Sequence, residues 1–96
     1  MTNRECIKYL VVNNDYKYNL LKAAEELQEL SLALTQMALK ENKVEKQEVI
    51  DEIGDVEIRL RVLKYFFDRR KIRSRFQFKM NKLKSYIKKG KYKGAM

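Results

Sequence analysis

Two pairs of carboxylates with the same spacing are the residues of this sequence best suited to chemistry. Glu26 and Glu29 are three residues apart, and so are Glu52 and Asp55. Side chains three residues apart are neighbours on a helix. The chain has no histidine and one cysteine, Cys6, which excludes the usual zinc sites and the Ser-His-Asp and Cys-His triads. Any catalysis must therefore rest on carboxylates, lysines, arginines or tyrosines, together with a hard metal ion.

Carboxylates that meet at the edge of a helix bundle repel one another unless they are protonated, paired with a cation or bound to a metal. Mg²⁺ takes oxygen ligands of this kind, and Mn²⁺ is the alternative. The spacing is equally compatible with an ordinary Glu-rich surface, in which glutamates form weak pairs with cations one turn away. Glu57 fits that second interpretation, because Arg61 follows it by four residues and it lies about 160° from Asp55 around the helix.

Four helices are predicted to position these residues, in a chain that contains no proline. Thr2 and Glu5 have the spacing of a capping box, which predicts a short helix that ends at about Val12. Residues 13–15 are typical of a turn, and residues 41–46 form a polar connector. The other helices are predicted at about residues 16–40, 47–67 and 72–89, and Gly90 and Gly94 end the last of them. We therefore expect one all-α domain over residues 1–96.

Both long helices carry an apolar stripe with a carboxylate pair at its edge. At about 100° per residue, Glu26 and Glu29 lie beside the first stripe, and Glu52 and Asp55 lie beside the second. If the stripes pack antiparallel, the two pairs converge. The predicted stripes consist of Leu20, Ala23, Leu27, Leu30, Leu34 and Met37 in the first helix, and of Val49, Ile53, Val56, Leu60, Leu63 and Phe67 in the second.

A second line of leucines runs along the back of the first long helix. It consists of Leu21, Leu32 and Leu39. A chain of 96 residues buries only a modest core. We therefore expect these leucines to form a subunit interface and the bundle to be completed by homo-oligomerisation.

Charge is distributed unevenly along the chain. Residues 1–57 contain 7 Lys/Arg and 12 Asp/Glu, a net charge of −5, whereas residues 58–96 contain 15 Lys/Arg and one acid, Asp68, a net charge of +14. The predicted C-terminal helix, at about residues 72–89, is strongly basic, and it has an apolar stripe of its own. This split indicates a polyanionic partner and predicts weak, non-specific contact with nucleic acid through phosphates. The stripe consists of Ile72, Phe76, Met80, Leu83 and Ile87.

Nothing in the sequence predicts a membrane-spanning or secreted protein. No run of 18 or more apolar residues is present, and the N-terminus lacks the apolar region of a signal peptide. Cys6 cannot form an internal disulfide, which fits a reducing compartment. We expect a cytoplasmic protein with no membrane partner.

The acids and the apolar residues around them resemble a known family. The pattern Glu25-Glu26-x-x-Glu29, then 22 residues, then Glu52-x-x-Asp55 is similar to the EExxE…ExxD signature of the MazG-like all-α nucleoside triphosphate pyrophosphohydrolases. The similarity covers nearly the whole chain and includes features of the short versions that are common in phages and Gram-positive bacteria. The stretches that carry it are ECIKYL (5–10), LLKAAEELQELSLAL (20–34), VIDEIGDVEIRLRVLKYFF (49–67) and FKMNKLKSYI (78–87).

The resemblance implies a four-helix, MazG-like bundle with two long metal-binding helices. Such an enzyme uses Mg²⁺ to hydrolyse a nucleoside triphosphate, NTP or dNTP, to the nucleoside monophosphate and pyrophosphate. Carried over to this chain, Glu26, Glu29, Glu52 and Asp55 hold the metal, and Glu25 supports them or orients a water. MazG-like proteins are typically dimers or tetramers.

Phosphate groups also need cationic side chains. Arg59 lies one turn after Asp55 and can reach the metal site, although similar sequences usually have an apolar residue there. The alternative for Arg59 is an ion pair with the acids of its own helix. Lys79 and Lys82 of the C-terminal helix are further candidates for phosphate binding.

Two other functions stay open at the level of sequence. One is a basic helical protein that binds nucleic acid and has a non-catalytic acidic site. The other is a nucleotide-sequestering protein that keeps the site but turns over slowly. The sequence does not separate either of them from an enzyme.

Overall fold

The computed structural model describes residues 1–40 and 44–90. It contains four helices, α1 (Asn3–Asn13), α2 (Tyr16–Leu39), α3 (Lys46–Leu63) and α4 (Arg69–Lys88), and no strand in the described residues. The all-α prediction is therefore confirmed. The described residues divide into two compact units, one with α1–α3 that ends at Phe66 and one with α4 that begins at Phe67. The single domain over residues 1–96 stays a prediction.

None of the described helices combines the length and the apolar character needed to cross a membrane.

Helix α1 begins where the capping box predicted. The Thr2 hydroxyl accepts a hydrogen bond from the Glu5 backbone N–H at 3.1 Å, and the Glu5 carboxylate accepts one from the Thr2 N–H at 2.8 Å. Each side chain thus satisfies a backbone donor that the first helical turn leaves unpaired. The helix extends to Asn13, one residue beyond the predicted end.

A buried amide joins α1 to α2. Asn19 is completely buried, and its Nδ2 donates to the backbone carbonyls of Leu10, Asn14 and Asp15. The Asp15 side chain accepts a hydrogen bond from the Tyr18 N–H at 2.7 Å and begins α2 as its N-cap. The turn between α1 and α2 is therefore stabilised by the Asn19 amide and by the Asp15 cap.

The ends of α2 and α3 next to their connector agree with the sequence to within one residue. Helix α2 ends at Leu39 rather than at residue 40, and α3 begins at Lys46 rather than at residue 47. Part of the predicted connector, residues 41–43, lies outside the described residues. Val44, just beyond it, is buried against Ala33 and Val49.

The predicted C-terminal end of α3 was wrong. The helix was expected to continue to Phe67, but it ends at Leu63. The Tyr65 N–H donates to the Val62 carbonyl at 3.0 Å and the Phe66 N–H donates to the Leu63 carbonyl at 2.9 Å, so the chain tightens into bonds between residues three apart. The Phe66 ring packs edge-to-face against Tyr16 of α2, with 5.3 Å between ring centroids. The aliphatic and aromatic residues around this turn continue the apolar period of the helix, so the sequence predicted a longer helix.

Helix α4 begins three residues earlier than predicted, at Arg69 instead of residue 72. The reason is Asp68, whose carboxylate accepts hydrogen bonds from the backbone N–H groups of Arg70 and Lys71. The helix ends at Lys88, and Gly90 has a φ of +69°, a conformation that glycine adopts without strain. Gly94, the second predicted stop, lies outside the described residues.

The core of the first unit is small and made of short side chains. Helix α3 packs against both α2 and α1. The buried apolar residues of the described chain are Ile7, Ala23, Ala33, Val44, Val49, Val56 and Val62. Leu30 and Met37 are partly buried against Ala33, Val44 and Val49. Short side chains at the contact allow the two long helices to approach closely.

Five of the twelve residues of the two predicted core stripes are exposed, and Phe67, at 48%, is one of them. Leu27, Leu34, Ile53 and Leu60 are 42–47% exposed, whereas Ala33 and Val62, which the stripes did not include, are buried. The contact between α2 and α3 is rotated away from the leucine side of α2 and towards its acidic edge. Because the two helices are antiparallel neighbours, these four exposed residues lie on the same side of the pair. We call this surface, Leu27, Leu34, Ile53 and Leu60, the hairpin face.

Candidate metal centre

Three carboxylates from two helices meet on the side of the α2/α3 pair opposite the hairpin face. Glu26 of α2 and Glu52 and Asp55 of α3 each offer one oxygen, and the three oxygens lie within 4.8 Å of one another. Adjacent ligands of an octahedral Mg²⁺ ion are about 3 Å apart, since the metal–oxygen distance is about 2.1 Å. Oxygens as far apart as 4.8 Å are more widely spaced than the ligands of a bound ion, and they would have to move closer to share one.

Glu29 belongs to the same electrostatic cluster although it is outside this group of three. It lies one turn after Glu26 on α2 and is exposed. After loss of hydration, the negative charge of Glu29 is the next largest cause that raises the pKa of Glu26 and of Glu52. The two carboxylate pairs predicted from spacing therefore converge. Glu26, Glu52 and Asp55 form the group of three, and Glu29 lies next to it.

Burial sets Glu26 and Glu52 apart from ordinary surface acids. Each has one carboxylate oxygen, Oε2, that is buried and has no hydrogen-bond partner in the described part of the chain. Loss of hydration is the largest cause of the raised pKa of both carboxyls, and repulsion from the neighbouring acids follows. A buried oxygen without a donor is unfavourable. A cation bound between these oxygens satisfies both at once, and a set of ligands made only of carboxylates suits Mg²⁺ or Mn²⁺.

Arg59 presents the opposite charge on the same side of α3. Its Nη1 is buried and has no hydrogen-bond partner in the described residues. It follows Glu52 by seven residues and Asp55 by four, so the three side chains project from one face. The expected alternative, an ion pair with those acids, is not formed in the residues that the structure describes. A buried guanidinium nitrogen without an acceptor fits an anionic ligand.

Glu25 does not join the cluster. It is exposed and forms an ion pair with Lys22 at 3.2 Å. The hydrogen bond and charge of Glu25 raise the pKa of Lys22. The positive charge of Lys22 in turn lowers the pKa of Glu26, against the net upward shift of that group. Lys22 was not predicted as part of this site, although its position four residues before Glu26 could have indicated it.

The cluster opens at one end into a shallow groove of about 310 Å³. Two further acids, Glu48 and Asp51, line this groove beside Glu29 and Glu52. Asp51 also accepts a hydrogen bond from the Gln47 amide at 2.8 Å. Glu48 and Asp51 precede Glu52 and Asp55 by one turn each, which is the spacing that could have indicated them.

Lys79 and Lys82, the other predicted phosphate-binding residues, lie on α4 and are exposed. The Lys82 ammonium lies 5.9 Å from the centre of the Tyr86 ring. Their proposed role at the metal site stays a prediction.

Comparisons of the chain with models of protein families, with curated proteins and with solved structures found no match. The function is therefore inferred from the site itself, beside the resemblance in sequence described above.

Proposed function

We propose that the protein is a Mg²⁺-dependent nucleoside triphosphate pyrophosphohydrolase, which converts an NTP or dNTP to the nucleoside monophosphate and pyrophosphate. One observation carries the proposal. Buried, unpaired atoms of both charges lie on one face of α3, the carboxylate oxygen of Glu52 and the guanidinium nitrogen of Arg59. A cation alone leaves Arg59 without an acceptor, and an anion alone adds to the repulsion at the acids. A metal–polyphosphate complex satisfies both groups.

The residues divide into distinct roles. Glu26, Glu52 and Asp55 would hold the metal, and Glu29 would complete the ligand set or act as a proton acceptor beside it. Arg59 binds a phosphate oxygen and orients the polyphosphate along α3. The metal, when bound, neutralises phosphate charge and lowers the pKa of its water. The Lys22–Glu25 pair screens the cluster from one side, so Glu25 acts through its neighbours rather than as a ligand.

Cleavage between the α- and β-phosphates rests on the resemblance in sequence. The EExxE…ExxD pattern supports that bond, and the oxygen-only ligand set supports Mg²⁺ or Mn²⁺ as the metal. Cys6, an exposed free thiol, supports a reducing, cytoplasmic location.

A second copy of the chain is part of the proposal. The described core contains no buried leucine, phenylalanine or methionine, and the hairpin face leaves four large aliphatic side chains 42–47% exposed. Leu21, Leu32 and Leu39, the predicted interface, are more exposed, at 59–77%. A dimer that buries the hairpin face turns two helix pairs into a four-helix bundle and leaves the acids, on the opposite side, open to substrate.

The test is a panel of NTPs and dNTPs incubated with the protein and Mg²⁺, with the products identified by phosphorus NMR. We expect a monophosphate and pyrophosphate from at least one nucleotide, and no reaction in EDTA. A diphosphate and inorganic phosphate would show that another bond is cleaved. The absence of any product, with no thermal stabilisation by millimolar Mg²⁺ or Mn²⁺, would overturn both the activity and the metal centre.

A nucleotide-sequestering protein is the second candidate, because the same unpaired atoms account for binding without turnover. Calorimetry with a non-hydrolysable triphosphate and Mg²⁺ separates the two functions. Tight binding of the analogue together with no product from the natural nucleotide favours sequestration.

A further inference from the structure

Helix α4 is a basic, amphipathic helix that buries none of its residues. Arg69–Lys88 contains nine Lys/Arg and no acid, and the one acid beside it, Asp68, is used as the N-cap. Large apolar side chains are open to solvent, with Phe76 64% and Ile87 61% exposed. A helix of 20 residues is about 30 Å long. This length of exposed apolar surface needs a partner.

Four of the nine cations of α4 lie along the two edges of the apolar side, and four others lie farther round towards the opposite pole. At about 100° per residue, Lys79 and Arg75 lie on one edge of the stripe, and Arg73 and Lys84 lie on the other. The stripe itself is the set predicted from the sequence, Ile72, Phe76, Met80, Leu83 and Ile87. The pole opposite the stripe carries no charge at its centre and consists of Ser74, Phe78 and Ser85.

We propose that α4 binds the surface of a membrane that contains anionic lipids, with its axis in the plane of the surface. The apolar stripe enters the boundary between headgroups and acyl chains, and the cations on both edges reach the lipid phosphates. Lys and Arg suit this position, because their long aliphatic stems follow apolar surface while the charged end stays in water. The contact is peripheral and distinct from a membrane-spanning segment. It goes beyond the proposed hydrolysis and does not depend on it.

Nucleic acid fits the same helix less well. A basic helix in a groove can contact phosphates along both edges, but the side between those edges then faces the bases. Base edges of a duplex are recognised mainly by hydrogen-bonding side chains, and single-stranded bases stack on aromatic ones, of which the stripe has only Phe76. On α4 that side carries Ile, Phe, Met and Leu, which offer no donors or acceptors to base edges.

Pairing of α4 with the α4 of a second copy is also disfavoured. The two stripes would meet, but their basic edges would lie side by side. Because no acid occurs within Arg69–Lys88, nothing on the partner helix compensates the repulsion.

The test is co-flotation of the full chain with vesicles of phosphatidylcholine that contain about one-third phosphatidylglycerol, compared with phosphatidylcholine alone. The key variant is Phe76→Ser, and the matched control is Phe78→Ser on the opposite pole. Both side chains are exposed, so neither substitution removes a core contact. Circular dichroism checks that helix content is retained, and light scattering without vesicles records the oligomeric state.

We expect wild type to bind anionic vesicles at least tenfold more strongly than neutral ones, since several cations act together. Phe76→Ser should weaken binding about tenfold, and Phe78→Ser should change it less than twofold. Replacement of Arg73 and Lys84 by Gln should weaken binding to anionic vesicles about tenfold and leave binding to neutral ones unchanged.

Three results would overturn the proposal. The first is no binding, or equal binding to both kinds of vesicle. The second is binding to duplex or single-stranded DNA that exceeds vesicle binding and is indifferent to Phe76→Ser, which identifies a nucleic acid as the partner. The third is a change of oligomeric mass by Phe76→Ser without vesicles, which assigns the stripe to a subunit contact.

Discussion

At the residue scale, the four acids of the proposed site differ in their surroundings. Glu26 and Glu52 are half-buried and each has an unpaired oxygen, whereas Glu29 and Asp55 are exposed. A cation held by Glu26, Glu52 and Asp55 would relieve the unfavourable burial at two of the acids and screen the repulsion among all four. Substitution of any one ligand should therefore weaken metal binding strongly and change the free energy of unfolding little.

The first prediction concerns Glu52→Gln and Asp55→Asn, which preserve side-chain shape but remove the charge of a ligand. Each should lower pyrophosphate release by about a hundredfold or more, because the metal and its water are held less well. Steady-state assays at saturating Mg²⁺ measure the effect.

The matched control is Glu57→Gln, an exposed acid on the same helix that lies in a different surface patch, against α1. It should leave turnover within about twofold, because Glu57 is exposed and lies away from the clustered acids. Equal loss of activity from Glu57→Gln and Asp55→Asn would contradict the assignment of the site.

The second prediction follows from the raised pKa of Glu26 and Glu52. The ordinary value is 4.5, and both carboxyls keep their protons to a higher pH in the folded chain than in the unfolded one. Between 4.5 and the raised pKa the folded state binds more protons, so these groups make stability fall as pH rises. The destabilisation is complete above the raised pKa and absent below the unfolded value.

Thermal melts in EDTA between about pH 5 and pH 7 measure this effect. The melting temperature of Glu52→Gln relative to wild type should increase as pH rises, because the variant lacks one titrating group. Saturating Mg²⁺ should reduce the difference, since the ion stabilises the charged form in wild type. A difference that is constant across this pH range would contradict the cause given for the raised pKa.

The third prediction concerns Arg59→Met, which keeps the aliphatic stem and removes the guanidinium. KM for the nucleotide should rise about tenfold or more, as expected for a hydrogen bond to a charged group. The stability of the metal-free protein should stay equal or increase, because a buried nitrogen without an acceptor has been removed. An unchanged KM would contradict phosphate binding by Arg59.

At the scale of elements, the start of α1 follows from local sequence, because the spacing of Thr2 and Glu5 reveals its capping box. The end of α2 at Leu39 and the start of α3 at Lys46 lie within one residue of their predicted positions. The two errors, at the end of α3 and the start of α4, lie on either side of Asp68. The aromatic residues before it continued an apolar period, although the Phe66 ring belongs to a contact with Tyr16.

The fourth prediction concerns the buried amide that joins α1 and α2. Asn19→Ala removes an Nδ2 donor shared among three backbone carbonyls, which outweighs removal of the buried, unpaired Oδ1, and should lower the free energy of unfolding by about 1–3 kcal/mol. Asn13→Ala is the control, because it removes one exposed hydrogen bond, to the Tyr9 carbonyl, and should change stability by about 0.5 kcal/mol or less. Urea unfolding of both variants measures the difference, and similar values for the two would contradict a joining role for Asn19.

At the scale of the whole molecule, the described residues of one chain include few large apolar side chains that are buried. Ala and Val form most of the core, and exposed Leu and Ile lie on the hairpin face. A small core supports limited stability in a chain of this size. Association is the simplest way to remove the remaining surface from water.

The fifth prediction compares the two candidate interfaces. Leu60→Lys places a charge in the hairpin face and should shift the oligomer towards monomer, since an unpaired charge would be buried in the contact. Leu39→Lys, on the back of α2, should leave the mass unchanged. Light scattering over a range of concentrations measures both. The opposite result would assign the interface to Leu21, Leu32 and Leu39. A monomeric wild-type protein would contradict both candidate interfaces.

The sequence by itself determined four helices, two carboxylate pairs at matching spacing and a basic final helix. These are local properties, because helix period, capping and charge need only neighbouring residues. Tertiary structure decided which side of each helix is packed. Short side chains at Ala23, Ala33, Val49 and Val56 draw α2 and α3 together along their acidic edge, which exposes Leu27 and Ile53 and buries one oxygen each of Glu26 and Glu52. The rotation of a helix about its own axis depends on the helix that it packs against, so the apolar periodicity of one helix cannot predict it.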